Sequence, residues 1–226
     1  QISGQTSLIV HAGEIYLGVK TEDYFLEAQE EFELKVKSVD TKGEPVSVSK
    51  IDLVVNQVNW VTLKRKEVDG GYYYRSEKRL KPVQTLVLKT DKKGDWKDEL
   101  KIEEAGQYEL HLTTEDQLGN KIETVKTSYV YSPYPDYVGN ASYLRRPTND
   151  TSLEIVNESP NKKVGDTADF LIKNPYDHAV KALIAIERGK IFDYEIVEIK
   201  NGFYKYEFEI TEAYIPNVYA SVVLIS

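Results

Sequence analysis

The sequence predicts an all-β protein built from two tandem antiparallel β-sandwiches. Its 226 residues are long for one sandwich and suit two of about 100 residues each. Apolar and polar residues alternate with the period of two that is typical of strands with one buried face. Turn-forming residues separate these runs at short intervals, and no long segment has the apolar period of about 3.6 residues that marks a helix.

Four segments show the clearest alternation, and each predicts a strand with one face in a core and the other in water. The apolar positions are, in chain order, Phe32, Leu34 and Val36; Ile51, Leu53 and Val55; Tyr108, Leu110 and Leu112; and Tyr204, Tyr206, Phe208 and Ile210. Charged residues such as Lys35, Asp52 and Glu109 stand between them. A shorter apolar strand is predicted around Leu8 to Val10.

Segments that contain glycine, aspartate or asparagine predict the turns between strands. They lie at residues 41–45, 69–71, 91–95, 118–120 and 200–202. The pair Asn201-Gly202 follows one apolar run and precedes another that starts at Phe203. This pair gives the strongest prediction of a β-hairpin in the chain.

Prolines interrupt the alternation near the middle of the chain. Proline removes a ladder donor and stiffens the backbone, so residues 133–152 are predicted to form a semi-rigid connector between domains. We expect the tail of a preceding element at residues 1–13, a first domain at 14–132 and a second domain at 133–226, which includes the connector. The chain has no methionine and no signal-peptide pattern, which predicts an interior fragment of a longer precursor.

Composition argues against several classes of function. The net charge of -8 is unsuited to a nucleic-acid backbone, and the basic run at residues 64–66 is followed by Glu67, which indicates a solvated strand edge or turn. The absence of cysteine excludes disulfides, thiolate metal sites, a catalytic thiol and an internal thioester within these residues. No apolar run approaches the ~20 residues that span a bilayer, so no membrane contact by this segment is expected.

The candidate groups for catalysis do not form a recognisable pattern. His11, His111 and His178 are far apart in sequence and are predicted to be surface residues. The segment from Asp91 to Asp95 has two carboxylates separated by two lysines, which favours a solvated turn over a calcium loop. Phosphate-binding glycine loops and nucleophile motifs are missing. We therefore predict no catalytic, cofactor-binding or metal-binding residue, no cofactor and no enzymatic activity.

Tyrosine is unusually abundant, with 17 residues in the chain. The grouped ones are Tyr72, Tyr73, Tyr74, Tyr129, Tyr131, Tyr134 and Tyr137. The favoured interpretation is that tyrosines alternate into the cores and pack at the boundary between the domains. The alternative is an exposed aromatic row that binds sugars or partner proteins, because an aromatic ring offers a large apolar area at a small entropy cost.

Three segments of the second domain resemble, in order, motifs of the bacterial alpha-2-macroglobulin family. They are a Gly-Asp-Thr-Ala turn within residues 163–168, a Glu-Arg-Gly strand end within 185–190 and a Pro-Asn-Val-Tyr strand start within 214–222. The first domain resembles the family more loosely, through the strand at residues 16–19 and the Gly-x-Tyr pattern at 106–108. The resemblance implies two consecutive macroglobulin-like domains, which are immunoglobulin- and fibronectin-III-like sandwiches.

The resemblance also implies a function for the parent protein, a broad-spectrum endopeptidase inhibitor that traps proteases in the periplasm or at the cell surface, with or without a lipid anchor. This segment is then expected to be structural, without thioester or bait, and to transmit motion between domains. Its expected partners are the neighbouring macroglobulin-like domains and, through the full-length protein, proteases. The competing hypothesis is a tandem-sandwich binding module of a surface adhesin or carbohydrate-binding protein.

Several residues of these motifs have roles that the backbone alone predicts. Gly165 is expected to adopt a turn conformation that is costly for other residues, and Asp166 to accept backbone hydrogen bonds there. Tyr108, two residues after Gly106, is expected to bond its phenol to nearby backbone, as in a tyrosine corner. Pro216 is expected to precede a final edge strand whose inward face carries Val218, Ala220, Val222 and Leu224.

Overall fold

The computed structural model describes residues 5–66, 72–132, 153–176, 178–199 and 202–225. In these ranges the chain forms strands and one short 3-10 helix, arranged as two β-sandwich-like bodies. The all-β prediction is therefore confirmed. The connector predicted at 133–152 lies outside the described residues, and the predicted domain boundaries stay predictions.

The first sandwich contains strands β1 to β8. Their bounds are β1 Ile15–Thr21, β2 Phe25–Glu27, β3 Glu31–Asp40, β4 Ile51–Lys66, β5 Tyr72–Leu88, β6 Asp95–Lys101, β7 Gly106–Glu115 and β8 Lys121–Tyr131. One sheet has the order β1-β3-β6 and the other the order β2-β8-β7-β4-β5. The pairs are antiparallel except β2 with β8, which is parallel.

The core of the first sandwich lies between these sheets and contains the residues that alternation predicts. Leu34, Ile51, Leu53, Leu110 and Leu112 have no exposed surface. Because the side-chain period of a strand is two, the charged residues between them lie on the opposite faces. Lys35 is exposed there, whereas Glu109 is buried and pairs with Lys78 at 2.8 Å, so water does not cover that face of β7 at Glu109. The β4–β5 hairpin extends beyond this core, since β7 pairs with β4 only from Asp52 to Gln57.

The second sandwich contains strands β9 to β14. Their bounds are β9 Glu154–Asn157, β10 Thr167–Lys173, β11 Val180–Glu187, β12 Ile191–Ile199, β13 Phe203–Glu209 and β14 Tyr219–Ile225, with the 3-10 helix at Glu212–Tyr214. The sheets have the orders β13-β10-β9 and β12-β11-β14. Phe170, Ile172, Ile184, Ile186 and Tyr206 fill the core between them.

Two local predictions are wrong. The strands on either side of Asn201-Gly202 are not hairpin partners: β12 pairs with β11 in one sheet, whereas β13 pairs with β10 in the other. Residues 200 and 201 themselves lie outside the described residues. The chain therefore passes from one sheet to the other between β12 and β13. Ile199, at the end of β12, is buried in the second core, whereas Phe203, at the start of β13, is buried against the first sandwich. Residues Leu8 to Val10 form no strand and are more than 80% exposed, and no strand of the described ranges pairs with them.

Three turns of the first sandwich share the pattern Asp-x-x-Gly-x, and the predicted solvated turn at Asp91 is one of them. In each, one carboxylate oxygen of the aspartate, Asp40, Asp91 or Asp116, accepts the backbone N–H groups of the second and fourth residues after it. The glycines have φ between 73° and 85°, the left-handed region that glycine adopts without strain. The Asp116 turn joins the paired strands β7 and β8, whereas the Asp91 turn leads from β5 in one sheet to β6 in the other.

Candidate functional site

The three histidines do not come together. His111, on the polar face of β7, lies between Glu123 at 3.2 Å and Glu109 at 3.0 Å. His11 contacts the Tyr16 hydroxyl at 2.6 Å, and the ring of His178 lies beside Tyr176. Within the described ranges no group of three or more His, Asp or Glu side chains is placed to hold a metal ion. In the same ranges no helix is long and apolar enough to cross a membrane.

The most distinctive site is the boundary between the two sandwiches. A cluster of apolar and aromatic side chains joins them, which we call the interdomain cluster. Its buried members are Phe25, Leu171 and Phe203, and the partly buried residues packed against them are Tyr24, Tyr129, Tyr131 and Val156. Phe25 and the tyrosines come from the first sandwich, and Leu171, Phe203 and Val156 come from the second.

The burial of Leu171 shows that the cluster is an interface between the sandwiches. Its neighbours on β10, Phe170 and Ile172, point into the second core, so Leu171 points out of that sandwich. A side chain on an outer face normally meets water, yet Leu171 has no exposed surface. The first sandwich therefore covers this face of the β9-β10-β13 sheet, and β10 is buried on both sides, as its run of three apolar residues indicates.

Local structure on the first sandwich positions the covering residues. The short strand β2 pairs in parallel with the end of β8, with Phe25 opposite Tyr129 and Glu27 opposite Tyr131. The N–H of Ala28 donates to the Tyr131 carbonyl at 2.8 Å and so extends this pairing by one bond. The pairing places Phe25 and the two tyrosines on one surface, toward the second sandwich.

The aromatic rings in the cluster meet edge to face. The ring centroids of Tyr129 and Phe203, one from each sandwich, are 5.8 Å apart with an interplanar angle of 80°. Tyr24 and Phe25 are 5.0 Å apart at 76°. Such pairs contribute about 0.5–1.5 kcal/mol beyond the area that they bury. The contact is therefore specific in geometry as well as apolar.

Polar groups surround the cluster and are paired. The Tyr131 hydroxyl donates to Glu27 Oε2 at 3.1 Å, and the Lys205 ammonium lies 5.5 Å from the centre of the Tyr131 ring, a cation–π contact between the sandwiches. Lys205 also pairs with Glu207 at 2.7 Å and Asp169 at 3.7 Å. These contacts fix the rim of the interface without a buried unpaired charge.

Burial at the interface changes the acid–base properties of its members. Burial raises the pKa of Tyr129, and the negative charge of Glu154 adds to this effect. Burial alone would lower the pKa of Lys205, but its hydrogen bond to Glu207 and the charges around it raise the pKa instead. The tyrosine is therefore neutral and the lysine charged at physiological pH. A cleft of about 290 Å³ lies beside the rim and is lined by several acidic residues, one of which, Asp169, pairs with Lys162 and Lys205.

The prediction that tyrosines pack in the cores and at the domain boundary is confirmed at Tyr108, Tyr129, Tyr131 and Tyr206. It is wrong at Tyr72, which is 59% exposed near the start of β5. Tyr134 and Tyr137 lie outside the described residues. Sequence reasoning missed the other half of the site, Phe25, Leu171 and Phe203. The signal for Leu171 was present, since three consecutive apolar residues in a strand leave no face for water.

Two of the family-like motifs meet at a single arginine. Arg188, from the Glu-Arg-Gly segment, donates through its guanidinium to the carbonyl oxygens of Ala213 and Tyr214 at 3.2 Å, of Asn217 at 2.8 Å and of Ile215. The planar guanidinium can serve several acceptors at once, which an ammonium cannot do in the same geometry. We call this group the Arg188 clamp. It holds the loop that leads into β14 against the end of β11.

The backbone roles predicted for the motifs are confirmed. Gly165 has φ of 91°, and Asp166 Oδ2 accepts the Lys163 N–H at 2.7 Å. The Tyr108 hydroxyl donates to the Glu104 carbonyl at 2.8 Å. Pro216 precedes β14, an edge strand, and the predicted inward residues pack on the second core, namely Val218, Ala220, Val222 and Leu224. All of these are structural roles.

Comparison with known protein families gives two matches. Residues 18–130 match the sequence profile of bacterial macroglobulin domain 6, and residues 153–226 match that of the alpha-2-macroglobulin bait region domain. The second match counts against the expectation that the segment has no bait, because residues 153–226 correspond to the bait region domain. No curated protein sequence matches the chain.

Solved structures that are similar to this chain include bacterial alpha-2-macroglobulins. Native Escherichia coli alpha-2-macroglobulin is 13% identical, with 95% of this chain and 14% of that chain covered and a TM-score of 0.41. Methylamine-reacted Salmonella alpha-2-macroglobulin is 10% identical, with 93% and 15% covered and a TM-score of 0.40. Dimeric latent PorU of Porphyromonas gingivalis is 11% identical, with 90% and 25% covered and a TM-score of 0.41.

The chain thus spans about one seventh of the length of the alpha-2-macroglobulins that it is similar to. The macroglobulin domain 6 profile alone covers half of its residues, and the bait region domain profile covers most of the rest. The chain therefore belongs to the bacterial alpha-2-macroglobulin family.

Proposed function

We propose that this chain is the structural segment that couples macroglobulin domain 6 to the bait region domain in a periplasmic protease inhibitor of the trapping type. Members of this family are protease inhibitors and not enzymes. In such a protein a protease cuts the bait, and the resulting change of shape encloses the attacker. The chain's own part is mechanical: it keeps the two sandwiches together while other domains move around them.

The complete burial of Leu171 on the outer face of the second sandwich supports this role. A covered outer face means that the two sandwiches share an apolar interface in addition to their covalent connection. Relative motion of two domains is the default unless their interface is large and apolar, so apolar packing across the interface favours coupled motion. Phe25, Phe203 and Tyr129 supply such packing here, and the Lys205–Tyr131 contact adds a directional one.

The mechanism follows from this coupling. If the bait region domain is displaced when the bait is cut, a shared interface carries macroglobulin domain 6 along as part of one rigid body. Without it, the displacement would be absorbed by the connecting segment. The proposed partners are the neighbouring macroglobulin-like domains and, through the full-length protein, proteases. The proposed place of action is the periplasm. The adhesin hypothesis has less support, because Tyr129 and Tyr131 contribute to the interface and not to an exposed aromatic row.

The test uses the full-length protein that contains this chain. It is incubated with an endopeptidase, and residual activity is measured on a large protein substrate and on a small peptide substrate. An enclosed protease should lose most of its activity on the large substrate and keep its activity on the small one. Equal activity on both substrates, with and without the inhibitor, would refute the proposed function.

Variants then test the coupling. Leu171→Asp places a charge at the buried interface and should weaken trapping while bait cleavage continues, because burying an unpaired carboxylate is costly. Lys163→Asp, an exposed charge change on the same sandwich, is the matched control and should trap normally. If Leu171→Asp traps as well as the control, the interface has no part in trapping.

A further inference from the structure

The outer face of the β12-β11-β14 sheet is apolar, although the described structure leaves it uncovered. Six of its large side chains are 55–64% exposed, and all belong to the two edge strands: Ile191, Tyr194, Ile196, Tyr219, Val223 and Ile225. An antiparallel sheet with one solvated face normally alternates apolar residues inward and polar residues outward. This sheet departs from that pattern, because apolar residues occupy its outward positions as well as its inward ones, such as Ile184.

The strand register places these side chains side by side. Leu183 of β11 lies between Ile196 and Val223, and the next outward residue, Ala185, lies between Tyr194 and Ser221. With strands ~4.8 Å apart and outward residues ~6.7 Å apart, the Cα atoms of the face span roughly 10 by 20 Å. The face is therefore a continuous patch and not a set of isolated side chains.

Charged residues bound the patch at both ends of its central strand. Lys181 lies opposite Glu198 at one end, and Glu187 lies between Ile191 and Tyr219 at the other. An apolar centre with a charged rim is the usual construction of a protein–protein interface. Soluble monomeric proteins rarely expose continuous apolar patches larger than a few hundred Å², and such patches mark interaction sites.

The first sandwich provides an internal comparison. The outward residues of its β1-β3-β6 sheet include Lys35, Lys37 and Lys97, and ion pairs join Lys37 to Asp95 at 2.8 Å and Lys97 to Glu33 at 3.3 Å. That outer face has the composition expected of a sheet that meets water. The contrast shows that the apolar face of the second sandwich is a local property of one sheet.

We propose that this face, defined by Leu183, Ala185 and the six exposed residues around them, is the docking site for another macroglobulin-like domain of the same polypeptide. The proposal extends the proposed function, on which it rests. The matched profile is that of a sixth macroglobulin domain, and the chain spans about one seventh of similar alpha-2-macroglobulins, so further domains of this kind are available.

The size of the face also favours a covalently connected neighbour over a second copy. Interfaces between domains of one chain bury ~600–1,500 Å² in total, whereas independent partners usually bury ~800 Å² on each side. A face of roughly 10 by 20 Å between Cα atoms, widened by its side chains, fits the lower range. A covalent connection makes such a modest contact sufficient, because it raises the effective concentration of the partner.

The test measures thiol accessibility in the full-length protein, since this chain contributes no cysteine of its own. Ile196→Cys and Val223→Cys introduce thiols on the two edge strands of the face, and Lys97→Cys introduces one on the polar outer face of the first sandwich. Each variant is treated with a water-soluble maleimide, natively and in denaturant, and modification is followed on the peptide that carries the substitution. Far-UV circular dichroism confirms that each variant is folded.

We expect native modification of the Ile196→Cys and Val223→Cys thiols to be slower than in denaturant by on the order of 100-fold, and that of the Lys97→Cys thiol by only a few-fold. Native rates within a few-fold of the denatured ones at both positions would overturn the docking face. Protection that disappears on dilution would overturn it in favour of self-association. Protection in a protein that fails to trap protease would keep the docking face and refute only the proposed function.

Discussion

Three glycines occupy the same position in the Asp-x-x-Gly-x turns but have different surroundings. A side chain added at Gly43 or Gly119 would meet nothing within 4 Å, whereas a Cβ on Gly94 would lie 2.2 Å from the Ser38 carbonyl oxygen. The close approach exists because the Ser38 N–H donates to the Gly94 carbonyl at 2.8 Å. Two physical effects, backbone strain and steric overlap, can therefore be separated within one protein.

We predict that Gly94→Ala is much more destabilising than Gly43→Ala or Gly119→Ala. The two open positions should lose about 1–2 kcal/mol of unfolding free energy, the cost of a left-handed conformation for alanine. Gly94→Ala should lose at least about 3 kcal/mol, because the backbone of β3 must also move. Urea unfolding of the three variants provides the measurement, and equal losses would contradict this account of the turn.

Asp116 has the most strongly shifted carboxylate described. Asn120 donates to it through its side chain, and the backbone N–H groups of Glu14, Asn120 and Leu118 also donate, which lowers its pKa from 3.8 to about 2. The unfolded chain binds the proton first as pH falls. The stabilisation from this carboxylate is therefore complete above about pH 4 and is lost as pH falls toward about 2.

Asp116→Asn should thus reduce stability at pH 7 and flatten the dependence of stability on pH between about 4 and 2. The aspartates of the equivalent turns, Asp40 and Asp91, also have lowered pKa values, mainly through the backbone N–H groups of Glu44 and Asp95, so a weaker acid dependence should persist in the variant. Urea midpoints measured across this pH range test the prediction. Parallel wild-type and variant curves would show that the carboxylate is not responsible.

At the scale of elements, β10 joins the two sandwiches because both of its faces are buried. Leu171→Ala should cost about 2–5 kcal/mol, the usual range for a fully buried leucine, and should act on the interface. Both tryptophans, Trp60 and Trp96, belong to the first sandwich, so their fluorescence reports its unfolding alone, whereas circular dichroism reports both sandwiches.

In the wild type the two signals should have the same midpoint, as expected for one cooperative transition. In Leu171→Ala the midpoints should separate, because the second sandwich no longer shares the stability of the first. Ile172→Ala, on the other face of the same strand, is the control for loss of core packing within the second sandwich. Coincident midpoints in Leu171→Ala would indicate that the interface contributes little to coupling.

The Arg188 clamp fixes the loop that leads into β14. Arg188→Lys keeps the charge but removes the planar fork that serves four carbonyl groups, so the variant should lose about 1–2 kcal/mol. Amide hydrogen exchange should become faster in the loop at residues 213–219 in particular. Lys190→Ala removes only a cation–π contact with Phe192 and should change stability by about 0.5 kcal/mol. Equal effects of the two substitutions would contradict the clamp.

Alternation in the sequence was sufficient to predict which residues of each strand face a core, because the period of two is a property of the strand itself. It was not sufficient to predict pairing. Asn201-Gly202 has the composition of a hairpin turn, but the strands on either side enter different sheets, and that choice depends on contacts distant in sequence. The three consecutive apolar residues at 170–172 indicate that Leu171 is covered, but they do not indicate by what, since its partners Phe25 and Tyr129 lie in the other sandwich.

At the scale of the whole molecule, we propose that the two sandwiches move as one body within a larger inhibitor. The aromatic contact between Tyr129 and Phe203 and the buried Leu171 hold the bodies together at one side. The apolar outer face of β12-β11-β14 is the proposed site of a further contact of the second sandwich. Displacement of the bait region domain would then be shared by at least two neighbours.

The most direct test is the distance between the two sandwiches before and after protease cleavage. Spin labels are attached in the full-length protein through Lys97→Cys on β6 and Glu209→Cys on β13, both exposed strand positions. We predict that the distance between the labels stays constant to within about 2 Å when the bait is cut, although the protein as a whole changes shape. A change of roughly 10 Å or more would contradict the claim that the two sandwiches form one rigid body.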